Sequence, residues 1–140
     1  ASALGLVQLQ RANDFGRIRA GRVARYNAAF ADLPMILPPG PAEGDGHSWH
    51  LYIVQLTEDA PIDRDGFILA LKEQGIGTSV HYRPLHQMTV WKPFCEDGAF
   101  PHADRVFSRC VSLPLFMAMT DAEQERVIGV VRRVVGGEAA

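Results

Sequence analysis

Lysine is nearly absent from this chain. Lys72 and Lys92 are the only two among 140 residues, and arginine supplies the other twelve of the fourteen basic side chains. Chemistry that needs a buried, desolvated amine nucleophile therefore has two candidates, and neither has the setting. Lys72 falls on the edge of a predicted helix with its ammonium within reach of water, and Lys92 lies between Trp91 and Pro93 in a loop. Cysteine is equally scarce: Cys95 and Cys110 form no disulfide framework, so reduced thiols in a cytoplasmic protein are the expectation. No apolar run reaches the roughly 18 residues of a membrane helix, and no signal-peptide pattern opens the chain, so no membrane partner is expected. A formal charge of −2 argues against general binding to nucleic acid. A starting methionine is missing too, and the first residues already read as helix, so a segment upstream is expected.

The apolar and charged fractions, 47% and 21%, are those of a globular chain. A chain of this size buries roughly two-thirds of its unfolded surface, enough for a single domain spanning 1–140 with its own core. Residues 2–31 contain no proline, and Leu4, Val7, Phe15, Ile18, Val23, Tyr26 and Phe30 share one broad side at the helical period, predicting one long helix. Arg19 and Arg22 interrupt that side and must snorkel or pair. With Arg11, Arg17 and Arg25 they make an arginine-rich stretch that reads as a solvated or interfacial face.

Residues 33–37 predict an edge strand because Pro34 cannot donate to a ladder. Residues 47–56 predict a central strand covered on both faces. Asp63 caps the next helix, with Phe67, Ile68 and Leu71 buried and Gly75 ending it. The stretch 75–86 organises the rest: a glycine exit, an alternating strand over 78–82, then Pro84 and His86. Pro101 opens a short helix over 102–108, followed by a strand at 110–114. Thr120 and Glu123 spell a capping box for the last helix, with Val127, Ile128, Val131, Val134 and Val135 inward and Gly136-Gly137 as its stop. The order α-β-β-α-β-α-β-α implies an α+β fold, a small and mostly antiparallel sheet packed by helices.

His81, Tyr82 and His86 gather donors and acceptors that work near neutral pH at the end of the organising strand. A zinc site from His81, His86, Cys95 and His102 matches no compact ligand spacing. Cys110 reads as a small hydrophobe, and the acids beside Cys95 disfavour its thiolate. Gly75-Ile76-Gly77 follows a helix and precedes a strand, the reverse of the dinucleotide order.

The segments His47-Ser48-Trp49-His50-Leu51-Tyr52, Gly75-Ile76-Gly77-Thr78-Ser79-Val80-His81-Tyr82 with Pro84-Leu85-His86, Phe100-Pro101-His102-Ala103-Asp104-Arg105, and Ser112-Leu113-Pro114-Leu115 before Thr120-Asp121 resemble, in order, the carboxyl-terminal part of the DegT/StrS-type sugar aminotransferases. The resemblance covers nearly the whole chain. It implies the small domain of a fold-type I pyridoxal-phosphate enzyme that moves an amino group, commonly from glutamate, onto a nucleotide-linked keto sugar, usually as a homodimer. It also implies that the Schiff-base lysine and most cofactor contacts lie in a larger domain before residue 1, the helix over 1–31 leading from it. His81 maps to the family's histidine near the sugar-nucleotide pocket, with Tyr82 and His86 as further substrate-binding positions. Residues 87–94 depart from the family's pattern, which leaves the sugar open. The competing expectation is a free-standing α+β ligand-binding or regulatory module that presents its arginine-rich helix.

Overall fold

A computed structural model describes residues 2–137. Helix α1 spans Ser2–Phe30, strand β1 Met35–Ile36, β2 Tyr52–Leu56, helix α2 Arg64–Glu73, α3 Pro101–Arg109, β3 Cys110–Leu113 and α4 Asp121–Gly136. The three strands run in the order β1-β2-β3 and every pairing is antiparallel, with Met35 opposite Leu56 and Tyr52 opposite Leu113. The architecture is the expected α+β.

Helix ends follow local chemistry. The Asp63 carboxylate accepts from the Gly66 amide at 2.8 Å, satisfying a donor that the first turn of α2 cannot use. At Thr120 the capping box forms in both directions, and the backbone and hydroxyl bonds from Thr120 lower the carboxyl pKa of Glu123. Gly137 closes α4 and Gly75 follows α2, each at φ 71, where a side chain would clash with its own backbone.

One core joins Val23, Tyr26 and Phe30 of α1, Phe67 and Leu71 of α2, Tyr52, Val54 and Leu56 of β2 and the valines of α4. Helix α4 contacts both α1 and α2, while α3 packs beside β2. The Tyr26 and Tyr52 rings lie 4.9 Å apart, and burial raises the phenol pKa of each. Their hydroxyls still find acceptors, Tyr26 at the Pro114 carbonyl (2.9 Å) and Tyr52 at Asn27 Oδ1 (2.8 Å).

The arginines of α1 are mostly engaged. Arg17 pairs with Asp14, Arg25 with Glu125, and Arg11 lies over the Phe15 ring. Arg22 enters the contact with α4. Arg19 Nε is the one buried side-chain nitrogen or oxygen among the described residues with no hydrogen-bond partner. Toward the amino end of the helix, Leu4, Leu6, Val7 and Leu9 are exposed, so the predicted apolar side is buried only from Val23 onward.

Three predicted strands are clearly shorter than expected, the 33–37 edge strand keeping only Met35–Ile36. The 47–56 strand begins at Tyr52 because Trp49 turns to φ 47, a conformation costly for a bulky residue. Burial of its ring and a bond from its amide to His47 Nδ1 at 2.9 Å offset that cost. Only the Tyr52, Val54 and Leu56 face of β2 is fully buried; Ile53 and Gln55 are half-exposed, so the strand is covered on one side. The 78–82 strand reduces to one bridge, in which Ser79 and Ser112 exchange backbone bonds of 3.2 and 2.8 Å. Beyond it Pro84 has no amide to donate to a ladder.

Candidate functional site

The organising segment leaves the sheet at Ser79 and carries its three candidate residues to different environments. His81 is half-buried, with Nδ1 2.8 Å from the hydroxyl of Ser112 on β3. Ser112 is itself buried, so the sheet holds this ring. Tyr82, joined to His81 by a cis peptide, is exposed, its ring edge-on to the imidazole at 4.8 Å. His86 lies in a 3-10 turn at Leu85–Gln87, closed by the Gln87 amide on the Pro84 carbonyl (3.0 Å).

Helix α3 supplies the partner of His86. Pro101 opens the helix at a position where its missing amide costs nothing, and Asp104 falls in the first turn, where the helix dipole favours a carboxylate. Oδ1 of Asp104 accepts from His86 Nε2 at 2.6 Å and from the Gln87 side-chain amide. The Gln87 bond first, then the His86 bond, hold the Asp104 carboxyl below its usual pKa, so it stays ionised at neutral pH. Phe100, one turn earlier, lies 4.8 Å from the imidazole, ring to ring.

His86, Gln87 and Asp104 line an open groove of about 290 Å³ with Arg83, Lys92, Cys95, Glu96, Asp97 and Gly98. A wider depression of about 610 Å³ continues past Thr89 and Pro93. Two cations therefore face three carboxylates in the deeper part, giving a mixed surface suited to a polyhydroxylated ligand with some charge. His81 and Tyr82 do not line it. Asp104 stood inside a sequence segment already singled out. Its role was invisible there because 18 residues separate it from His86.

The other reactive side chains go elsewhere. His102 contacts Arg105 at 2.6 Å, and Cys110 is buried, its thiol pKa raised by desolvation. Both cysteines are free thiols. Among the described residues no three His, Cys, Asp or Glu side chains group as a metal site, and no helix is long and apolar enough to cross a membrane. Lys72 and Lys92 are both exposed.

Against known proteins the chain is 39% identical over 140 residues to the spore coat polysaccharide biosynthesis protein SpsC of Bacillus subtilis (strain 168), a match covering 97% of this chain and 36% of that protein. The chain thus spans about a third of this curated relative's length. Among solved structures, the aminotransferase TlmJ from Streptoalloteichus hindustanus superposes with a TM-score of 0.84 at 30% identity, over 95% of this chain and 35% of that one. S. venezuelae DesV in complex with a ketimine intermediate gives 0.85 at 28% identity, over 99% and 36%. Residues 1–132 match the family model outright, and on that match the chain belongs to the DegT/DnrJ/EryC1/StrS aminotransferase family.

Proposed function

We propose that this chain is the carboxyl-terminal small domain of a pyridoxal-phosphate-dependent enzyme that transfers an amino group, with glutamate as donor, to a nucleotide-linked keto sugar. One observation carries the reading: a sugar-aminotransferase family match runs through nearly the whole chain, yet the chain covers only 36% of its curated relative and both its lysines are exposed. The side chains present do not fit the covalent anchor of the cofactor, because both lysines are exposed and neither lies in the desolvated pocket that an amine nucleophile needs. The Schiff-base lysine belongs, in this reading, to a larger domain before residue 1, and no step of transamination is assigned to this chain.

The contribution of this chain is to hold the substrate. His81 and His86 each have one ring nitrogen tied down, to Ser112 and to Asp104 respectively, which leaves His81 Nε2 and His86 Nδ1 for a ligand. Tyr82 adds an exposed phenol beside His81. A homodimer in the cytoplasm completes the reading, with the amino end of α1 covered by the larger domain.

The test is to place the chain in its reading frame and assay the resulting protein. An in-frame upstream domain, a cofactor absorbance that changes on adding glutamate, and reversal by a nucleotide-linked keto sugar are the expected results. A start codon immediately before Ala1, or a protein that leaves the cofactor spectrum unchanged with every keto sugar, overturns it and favours the free-standing module.

A further inference from the structure

At the wall of the deeper groove, the start of α3 and its N-cap residue hold a single imidazole from two directions. Phe100 lies 4.8 Å from the ring of His86, and Asp104, four residues on, takes its Nε2 at 2.6 Å. The backbone bond from the Asp104 amide to the Phe100 carbonyl (3.1 Å) is itself a helical bond, so ring contact and carboxylate are fixed to one rigid unit. Gln87 donates to the same carboxylate oxygen, which keeps Asp104 aimed at the groove wall.

We propose that Asp104 is a positioning residue that fixes the tautomer of His86 and so decides which chemical group the groove accepts beside that ring. A carboxylate is acceptor-only, so the nitrogen it touches must carry the proton. In the neutral imidazole the proton then sits on Nε2, and Nδ1 presents a lone pair. Nδ1 has no hydrogen-bond partner among the described residues, and His86 lines the groove. With the ring neutral, the group that fits it is a hydrogen-bond donor, a hydroxyl of the sugar or ribose, and not a phosphate oxygen. The surrounding charge agrees: Arg83 and Lys92 are outnumbered by Glu96, Asp97 and Asp104, so the deeper part of the groove offers a phosphate no net positive field. This inference rests on the proposed sugar substrate for the identity of the occupant, but the tautomer itself stands on the geometry alone.

The first measurement needs no variant and no substrate. Long-range proton–nitrogen correlation NMR on the nitrogen-15-labelled chain, at mildly alkaline pH, reads the tautomer of His86 directly. Protonated Nε2 is expected; protonated Nδ1 overturns the proposal. In Asp104→Asn the amide can donate as well as accept, so the Nε2–H preference should be lost, while Asp104→Glu, which keeps the carboxylate, should retain it. An Asn variant that folds and keeps the wild-type tautomer also overturns it.

The second measurement is turnover in the enzyme that carries this chain. Asp104→Asn should lower kcat/KM for the keto sugar about tenfold, the effect expected of one lost hydrogen bond to a charged or oriented group. His86→Ala combined with Asp104→Asn should be no worse than His86→Ala alone, because the carboxylate acts through the ring. If His86→Ala impairs turnover and Asp104→Asn does not, positioning fails while substrate binding by His86 survives. If His86→Ala changes nothing but the tautomer is as expected, the substrate reading fails and the tautomer assignment stands.

Discussion

Arg22 and Gln124 hold each other from both ends: Arg22 Nη1 donates to Gln124 Oε1 at 3.0 Å, and Gln124 Nε2 donates back to the Arg22 carbonyl at 2.8 Å. Gln124 is fully buried, and the same guanidinium also donates to the Met119 carbonyl at 2.6 Å and to Asp121. An arginine that looks misplaced in the apolar side of α1 is thus the latch between α1 and α4. Gln124→Ala should destabilise the chain by about 2–3 kcal/mol, the cost of a lost bond to a charged group plus an unpaired buried donor. Urea unfolding gives the number. A loss under about 0.5 kcal/mol, the range of ordinary surface substitutions, would mean that the latch is incidental.

Acid should weaken a neighbouring tie. The side-chain bond from Arg132, then a backbone bond, lower Asp32 from 3.8 to about 2. A carboxyl depressed in the folded state adds stability that is complete above its unfolded pKa and disappears as pH falls through the folded value. The stability difference between wild type and Asp32→Asn should therefore be constant near neutrality and shrink between pH 3.8 and about 2. Asp32 is well exposed, so the effect is modest and salt-sensitive. Urea midpoints for both proteins at several pH values check it, and a gap that does not narrow in acid would contradict the pairing.

His81 is where a binding role can be told from a folding role. Ser112→Ala removes the hydroxyl that holds its Nδ1 but leaves the backbone bridge to Ser79 in place, so stability should fall by only about 0.5–1.5 kcal/mol. In the intact enzyme His81→Asn should reduce turnover ten- to a hundredfold, roughly 1.5–3 kcal/mol in the transition state, with little change in Tm. Parallel loss of stability and activity, or loss of neither, would make the His81–Ser112 pair a packing device only.

Borohydride trapping addresses the lysines. Both are exposed, so incubating this chain with pyridoxal phosphate, reducing and taking a mass spectrum should yield only substoichiometric adducts at Lys72 and Lys92. One stoichiometric adduct at either would show an anchor where none is expected.

The amino end of α1 should be the least protected helix. Leu4, Leu6 and Leu9 are 67%, 64% and 71% exposed, and the helix buries side chains only from Val23 onward. Its first turns should exchange amide hydrogens far faster than β2, and the chain should self-associate through them. Changing the three leucines to serine should abolish association without lowering monomer stability. Equal protection of α1 and β2 in a monomer shown by sedimentation would rule this out.

Sequence alone determined whatever depends on neighbours along the chain. The capping box at Thr120, the cap at Asp63, the glycine exits at Gly75 and Gly137 and the proline start of α3 all involve groups within a turn of each other, and each is where the residue pattern put it. The ordered motifs also carried the family, because they record fold and chemistry together. Strand length was another matter. Whether residues 78–82 form a ladder depends on what β3 offers across space, and Ser112 offers one bridge. The site divided along the same line: His81, Tyr82 and His86 were legible as a cluster of polar rings, but their separate surroundings were not. Ser112 lies 31 residues from His81, and Asp104 lies 18 from His86. Those partners meet only when the sheet and α3 bring them together, since hydrogen bonds act over about 3 Å and carry no signature along the chain that separates their ends.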